Sequence, residues 1–247
     1  GTDCFLSTCQ PELDVAHPAK PFSMVSRNIR GLALHLDHVL ALGDDVTALQ
    51  ETDVLESDVT WLKAKATAKG YTLVFAANTA ISKDGVTRRG RRAAILVKGP
   101  AVPKSIMHYD DPTCLALNHT GRWLELLIPV GCGEASFLCT CAYGYSGASS
   151  GGDDYATNET FIAHLISRAA QHERAAQFIC TDLNIDPKDS DILNCAVSNG
   201  ILEIYLQDGS TTESRHRHTT STVLSHTWMA RESFGLTPFL QTPQATI

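Results

Sequence analysis

The hydrophobic pattern of the chain switches between short apolar runs and helical stripes. Residues 22–27 form a short run behind Pro21 and predict a strand. Residues 31–43 space Leu32, Leu36, Val39 and Leu40 along one helical face, with Gly43 as the stop. Residues 46–50 predict a buried strand, and residues 58–69 a helix ended by Gly70. Strands over 71–76 and 93–97 flank a basic loop. Residues 123–130 and 136–143 predict two strands joined by a Gly131-Cys132-Gly133 turn. A Gly/Ser/Asp-rich loop over 146–154 leads into the longest helical pattern, 155–177. A strand over 178–181, a helix over 189–199 stopped by Gly200, and a strand over 201–206 complete the readable part. Residues 1–21 read as a lead-in segment, and the chain is weakly patterned from Gln207 onward.

Some of these strands alternate with helices and others form hairpins. That mixture argues for an α/β layered domain with mixed sheets, spanning residues 22–247. A chain of 247 residues can bury a full core, and 43% hydrophobic content is ordinary for a globular protein. No apolar run has the length of a membrane span, and the first residues lack a basic region followed by a long apolar stretch. Neither a membrane nor a secretory signal is therefore expected. There are eight cysteines but no C-x-x-C pair, and Cys139, Cys141 and Cys180 lie inside apolar runs. They read as small buried hydrophobes, which suits a reducing, intracellular setting, nuclear or cytoplasmic.

The formal charge of -7 is not that of a protein that wraps nucleic acid. It leaves room for an enzyme that touches phosphates locally. The basic stretch 83–92 contains Arg88, Arg89, Arg91 and Arg92. It reads either as a solvated hairpin loop or as a phosphate-contacting, substrate-binding arm.

Candidate chemistry gathers where apolar runs end. The strand over 22–27 runs into Asn28, that over 46–50 into Glu51, that over 136–142 into Tyr143, and that over 178–181 into Asp182, with Asn184 two residues on. The carboxyl ends of strands form one edge in layered α/β domains, so distant residues can converge there. Each position also has an ordinary reading. Asn28 suits a helix cap, Glu51 a loop acid, Asp182 and Asn184 an Asx turn before Pro187, and Tyr143 an aromatic at the core edge.

Val25-Ser26-Arg27-Asn28-Ile29-Arg30-Gly31 followed by Ala48-Leu49-Gln50-Glu51-Thr52 resembles the opening signature of the endonuclease/exonuclease/phosphatase superfamily. Ala93-Ala94-Ile95-Leu96-Val97 looks like its central strand, and Cys141-Ala142-Tyr143-Gly144 the strand that delivers its active-site Tyr. Cys180-Thr181-Asp182-Leu183-Asn184 is similar to its Gly-Asp-Phe-Asn motif. The resemblance implies a four-layer, DNase I-like sandwich of two mixed β-sheets flanked by helices. It implies hydrolysis of phosphate esters with Mg²⁺ (or Mn²⁺). Glu51 and Asn28 would serve the metal, Asp182 the attacking water, and Asn184 and Tyr143 the phosphate. An endonuclease of the repair or retroelement type, acting on nucleic acid, is the leading expectation; no protein partner is implied.

Two further family motifs, an Asp-bearing strand and a terminal Ser-Asp-His, do not follow Asn184. Ser225-His226 is a partial echo of the second, so His226 is either a replacement catalytic residue or a surface side chain. The pattern suggests a chain truncated at its C-terminus, with a sheet edge left exposed. It also keeps two alternatives open: a catalytically degenerate binding module on the same fold, and a phosphatase of inositol phosphates or nucleotides.

Overall fold

The computed structural model describes residues 22–83, 86–99, 103–106, 110–129, 136–172, 176–201, 203–206 and 221–226, with backbone alone for strand residues 81–83, 86–89, 203–206 and 221–226. The lead-in residues 1–21, His216 and His218 lie outside this set.

The first sheet contains β1 (Met24–Asn28), β2 (Val46–Leu55), β3 (Tyr71–Phe75), β4 (Thr79–Lys83) and β5 (Val86–Lys98), in the order β1-β2-β5-β3, with β4 paired to β5. The second contains β6 (Lys104–Ser105), β7 (Trp123–Pro129), β8 (Ser136–Tyr143), β9 (Gln177–Asp182), β10 (Glu203–Leu206) and β11 (Ser221–His226), in the order β10-β11-β9-β8-β7-β6. Five helices accompany them among the described residues: α1 (Leu32–Leu42), α2 (Glu56–Ala68), α3 (Pro112–His119), α4 (Gly152–Ala170) and α5 (Asp191–Ser198). None of these helices is long and apolar enough to cross a membrane.

The layers follow from which face each element buries. Val46, Ala48, Ile95 and Val97 of the first sheet meet Leu126, Ile128, Phe137, Cys139, Cys141 and Cys180 of the second, forming the central core. Leu32, Leu36, Val39 and Leu40 of α1, with Leu62 and Ala66 of α2, cover the outer face of the first sheet. Cys114, Leu117, Phe161, Ile162, Leu165, Leu193 and Ala196 from α3, α4 and α5 cover the second. The expected helix–sheet–sheet–helix sandwich is the observed fold. Each fully buried Leu or Ile contributes roughly 1.5–3 kcal/mol to it. The expected buried thiols are present as free Cys139, Cys141 and Cys180.

A buried ion pair ties the outer helices to the second sheet. Arg168 of α4 donates from Nε (3.0 Å) and Nη2 (2.8 Å) to Glu125 Oε2 of β7. It also reaches Asp111 Oδ2 at 3.3 Å, and Asp111 caps α3 through the Thr113 N–H.

Several boundaries differ from the sequence expectations. The basic stretch is not a loop, because β4 and β5 pair as a hairpin and β5 runs unbroken from Val86 to Lys98. Helix α4 begins at Gly152, inside the expected loop, and ends at Ala170 rather than 177. Helix α3 was not foreseen; it rests on the Asp111-Pro112 start more than on periodicity. On the far side of β9, β11 pairs antiparallel with β9 along its full length, and β10 pairs with β11.

Candidate active site

Strands β1 and β2 run parallel with Asn28 opposite Gln50, and β8 and β9 run parallel with Tyr143 opposite Asp182. The carboxyl ends of these two pairs meet across the sandwich. Asn28 Nδ2 donates to Asp182 Oδ2 at 2.6 Å, and the Tyr143 hydroxyl donates to Glu51 Oε1 at 2.9 Å. Both bonds cross from one sheet to the other.

The Gln50-Glu51 step explains how the carboxylate reaches this place. Gln50 is fully buried, and its Nε2 donates to Ser26 Oγ (3.0 Å) and to Cys180 O (3.3 Å) of the second sheet. In a regular strand the next side chain would point to the opposite face. Instead Glu51 has a left-handed backbone (φ 56°), and the pairing with β5 shifts register between Gln50 and Val54. This bulge lets two successive residues address the same sheet.

Asp182 is held from two sides. Asn28 binds Oδ2, and the Asn184 N–H donates to Oδ1 at 3.2 Å. Asn184, also left-handed (φ 54°), donates from Nδ2 to Gly144 O at 3.1 Å. Gly144 N–H returns a 2.7 Å bond to Asp182 O. A Cβ at Gly144 would overlap the Leu183 backbone, so only glycine allows this approach. Burial, reinforced by the charge of Glu51, raises the Asp182 carboxyl above its ordinary value, against the hydrogen bonds from Asn28 and Asn184 and the charge of Arg30. Burial and the charge of Glu51 likewise push the Tyr143 phenol up.

The five residues Asn28, Glu51, Tyr143, Asp182 and Asn184 are thus brought together. Arg91 of the basic stretch is not among them. It is ion-paired with Glu56 at the start of α2 and is 15% exposed. The side chains of Arg88 and Arg89 lie outside the described residues. His226 also lacks a described side chain, and its backbone pairs with Gln177 at the far end of β9. Five residue steps at about 3.3 Å put its Cα on the order of 17 Å from that of Ser221, the residue opposite Asp182. The register therefore sets the His226 backbone at the end of β9 away from Asp182.

Further residues stand at the site: Arg92 comes from the basic stretch, whereas Arg122 and Asn158 were not singled out from the sequence. Arg92, the neighbour of Arg91 and so on the other face of β5, sits 5.9 Å from the Tyr143 ring centroid. Arg122 lies 5.2 Å from the same centroid and donates from Nη1 to Gly144 O at 2.6 Å. Burial and the nearby charge of Arg92 lower the Arg122 guanidinium below its ordinary value. Asn158 of α4, fully buried, accepts from Tyr145 N–H and donates to Leu183 O, both at 2.9 Å. It clamps the loops after β8 and β9 together. An Asn on the same helical stripe as Phe161, Ile162 and Leu165 was the available signal.

Among the described residues, the buried oxygens at the site without a hydrogen-bond donor include Asn28 Oδ1, Gln50 Oε1 and Glu51 Oε2. A buried acceptor left unpaired is costly. Among the described residues, no group of three or more His, Cys, Asp or Glu side chains is placed to hold a metal ion. One carboxylate, one amide oxygen and water form a hard-oxygen set that fits a magnesium-type ion and not a zinc-type one.

No protein-family model and no curated protein sequence matches this chain. Solved structures do. The catalytic domain of APE2 from Xenopus laevis superposes with a TM-score of 0.54 at 16% identity, covering 82% of each chain. Sphingomyelinase C from Streptomyces griseocarneus gives 0.52 at 17% identity and 84% of each chain. The 3′ phosphatase NExo from Neisseria, bound to a product DNA hairpin, gives 0.51 at 15% identity, covering 84% of this chain and 87% of that one. At such identities the likeness speaks for the fold. That fold, carrying Asn28, Glu51, Tyr143, Asp182 and Asn184 at one end of its sandwich, is DNase I-like.

Proposed function

We propose that this chain is a magnesium-dependent phosphodiesterase whose substrate is nucleic acid, cut internally. The observation that carries the reading is the pair of donor-less buried oxygens, Asn28 Oδ1 and Glu51 Oε2, beside a buried Asp182. Glu51 and Asn28 would hold the metal, which when bound supplies positive charge to a phosphate oxygen and to the leaving oxygen.

The protein's own groups do the rest. Asp182 orients the attacking water and takes its proton. Its raised pKa makes it a stronger base than an exposed Asp, while Asn28 and Asn184 keep the carboxylate aimed. Tyr143, with its phenol pushed up, stays protonated at neutral pH, so its hydroxyl remains a donor. It holds Glu51 in place and can donate to phosphate. Asn184 and the cations Arg92 and Arg122 supply further positive character as charge builds on the phosphate.

Related folds include a 3′ phosphatase bound to a DNA hairpin and a sphingomyelinase, which supports phosphoester hydrolysis more broadly. The net charge of -7 favours, as a second reading, a small phosphate ester over a polymer. Cleavage of plasmid DNA, abasic DNA, inositol phosphates and nucleotides by the purified chain, with magnesium or with EDTA, separates the two. Nucleic-acid cleavage that needs magnesium, falls steeply with salt, and drops at least about a hundredfold in Glu51→Gln supports the proposal. Cleavage that Glu51→Gln leaves intact overturns it.

A further inference from the structure

Arg30 stands two residues beyond Asn28, in the turn between β1 and α1. Its backbone is left-handed (φ 46°), and Gly31 follows at φ 107°. Two backbone bonds staple this turn to the bulge of β2: Ile29 N–H to Gln50 O at 3.2 Å, and Gly31 N–H to Glu51 O at 2.8 Å. The staple fixes where the Arg30 side chain starts. Its Nε lies 3.7 Å from Glu51 Oε2, the carboxylate oxygen that lacks a hydrogen-bond donor.

That approach is too long for a hydrogen bond. The Arg30 side chain is 63% exposed and makes no hydrogen bond among the described residues. The guanidinium therefore compensates Glu51 through its charge without satisfying its lone pair. Its field also reaches Asp182, whose carboxyl it pulls downward in pKa. Two carboxylates and one cation lie close together, and of the three the cation is the one on a long, mostly exposed side chain.

We propose that Arg30 is a tethered counter-ion which competes with the divalent metal for Glu51 and withdraws when the metal binds. This rests on the reading of Glu51 as a metal ligand. A dication entering beside a guanidinium meets like charge, so Arg30 weakens metal affinity. In return it keeps the acidic pair from repelling itself while the metal is absent. The long side chain can swing outward because, among the described residues, charge alone holds it, and the stapled backbone keeps it at the rim.

The test is Mn²⁺ titration of the full chain by isothermal calorimetry and by electron paramagnetic resonance, with no substrate present. Removing a unit charge about 4 Å from a ligand, in a setting open to solvent, should tighten Mn²⁺ binding by about tenfold in Arg30→Gln. Arg30→Asn, which tolerates the left-handed backbone, should behave the same way. Arg30→Lys, which keeps the charge, should bind as the wild type does, a rescue that a purely structural role would not produce. Glu51→Gln should abolish binding. If Glu51→Gln abolishes binding while both neutral Arg30 variants bind Mn²⁺ no tighter than wild type, Arg30 is an ordinary surface charge and the inference falls alone. If Glu51→Gln leaves Mn²⁺ binding unchanged, the metal reading of Glu51 falls with it.

Discussion

Asn28 Nδ2 donates to Asp182 Oδ2 across 2.6 Å, although the two residues are 154 positions apart in sequence. One is the last residue of β1 in the first sheet, the other the last of β9 in the second. The bond closes the sandwich at its reactive end and holds a carboxylate that burial would otherwise prefer to protonate.

That preference gives a prediction about pH. The folded-state pKa of Asp182 is raised above its ordinary value, first by burial and then by Glu51. Well below the ordinary carboxyl range the group is protonated in both folded and unfolded chains and has no effect. As pH rises through the raised value, the folded state must ionise a buried acid that the unfolded chain ionises more easily, and stability is lost. Asp182→Asn cannot ionise. In EDTA, the melting temperature of the wild type should therefore fall relative to Asp182→Asn as pH rises from the ordinary carboxyl range through the raised value. A difference that stays constant across that range would contradict the assignment. Phosphodiester cleavage by the variant should be at least about a hundredfold slower.

Asn158 makes a second prediction, because its side chain joins the two loops that carry Tyr145 and Leu183. Asn158→Ala leaves a buried N–H and a buried carbonyl without partners, which should cost about 2–4 kcal/mol in urea unfolding. Asp182 and Asn184 flank the Leu183 carbonyl, so turnover should drop as well in the molecules that remain folded. An unchanged midpoint would show that water replaces the amide without loss.

Arg168 offers a contrast away from the site. Arg168→Met strands Glu125, which is 3% exposed, without its main partner. Breaking one side of a buried pair costs roughly 3–5 kcal/mol, and the double change Arg168→Met with Glu125→Leu should recover much of it. Cleavage per folded molecule should be unaltered in both. A double variant no more stable than the single one would show that Asp111 and the other acceptors, not Glu125, set the cost.

The parts of the site that could be read in the sequence are those where an apolar strand ends in a polar residue. Asn28, Glu51, Tyr143, Asp182 and Asn184 were visible because short-range patterning locates strand ends, and strand ends share an edge. What escaped depends on long-range partners. Arg91 and Arg92 are indistinguishable in sequence, but β5 presents one to Glu56 and the other to Tyr143. The basic stretch looked like a loop because charged residues on an exposed hairpin leave no hydrophobic alternation to detect. Strand β11 was hidden for a similar reason: Ser221–His226 mixes Ser and Thr with only Val223 and Leu224 as apolar members. The bulge at Glu51 could not be foreseen, since a left-handed glutamate has no compositional mark.

Outside glycine, the described backbone is left-handed only at Arg30, Glu51, Asp53 and Asn184, and all four lie at this end of the molecule. Tolerance to substitution there should be governed by the peptide before the side chain. Asn, Asp and Gly are mild replacements, whereas Val and Ile fight the torsion wherever they are placed. At Glu51 the two demands oppose each other. Glycine would relax the chain at the very residue whose carboxylate the chemistry needs, so a lineage released from selection for turnover could gain robustness by losing that acid.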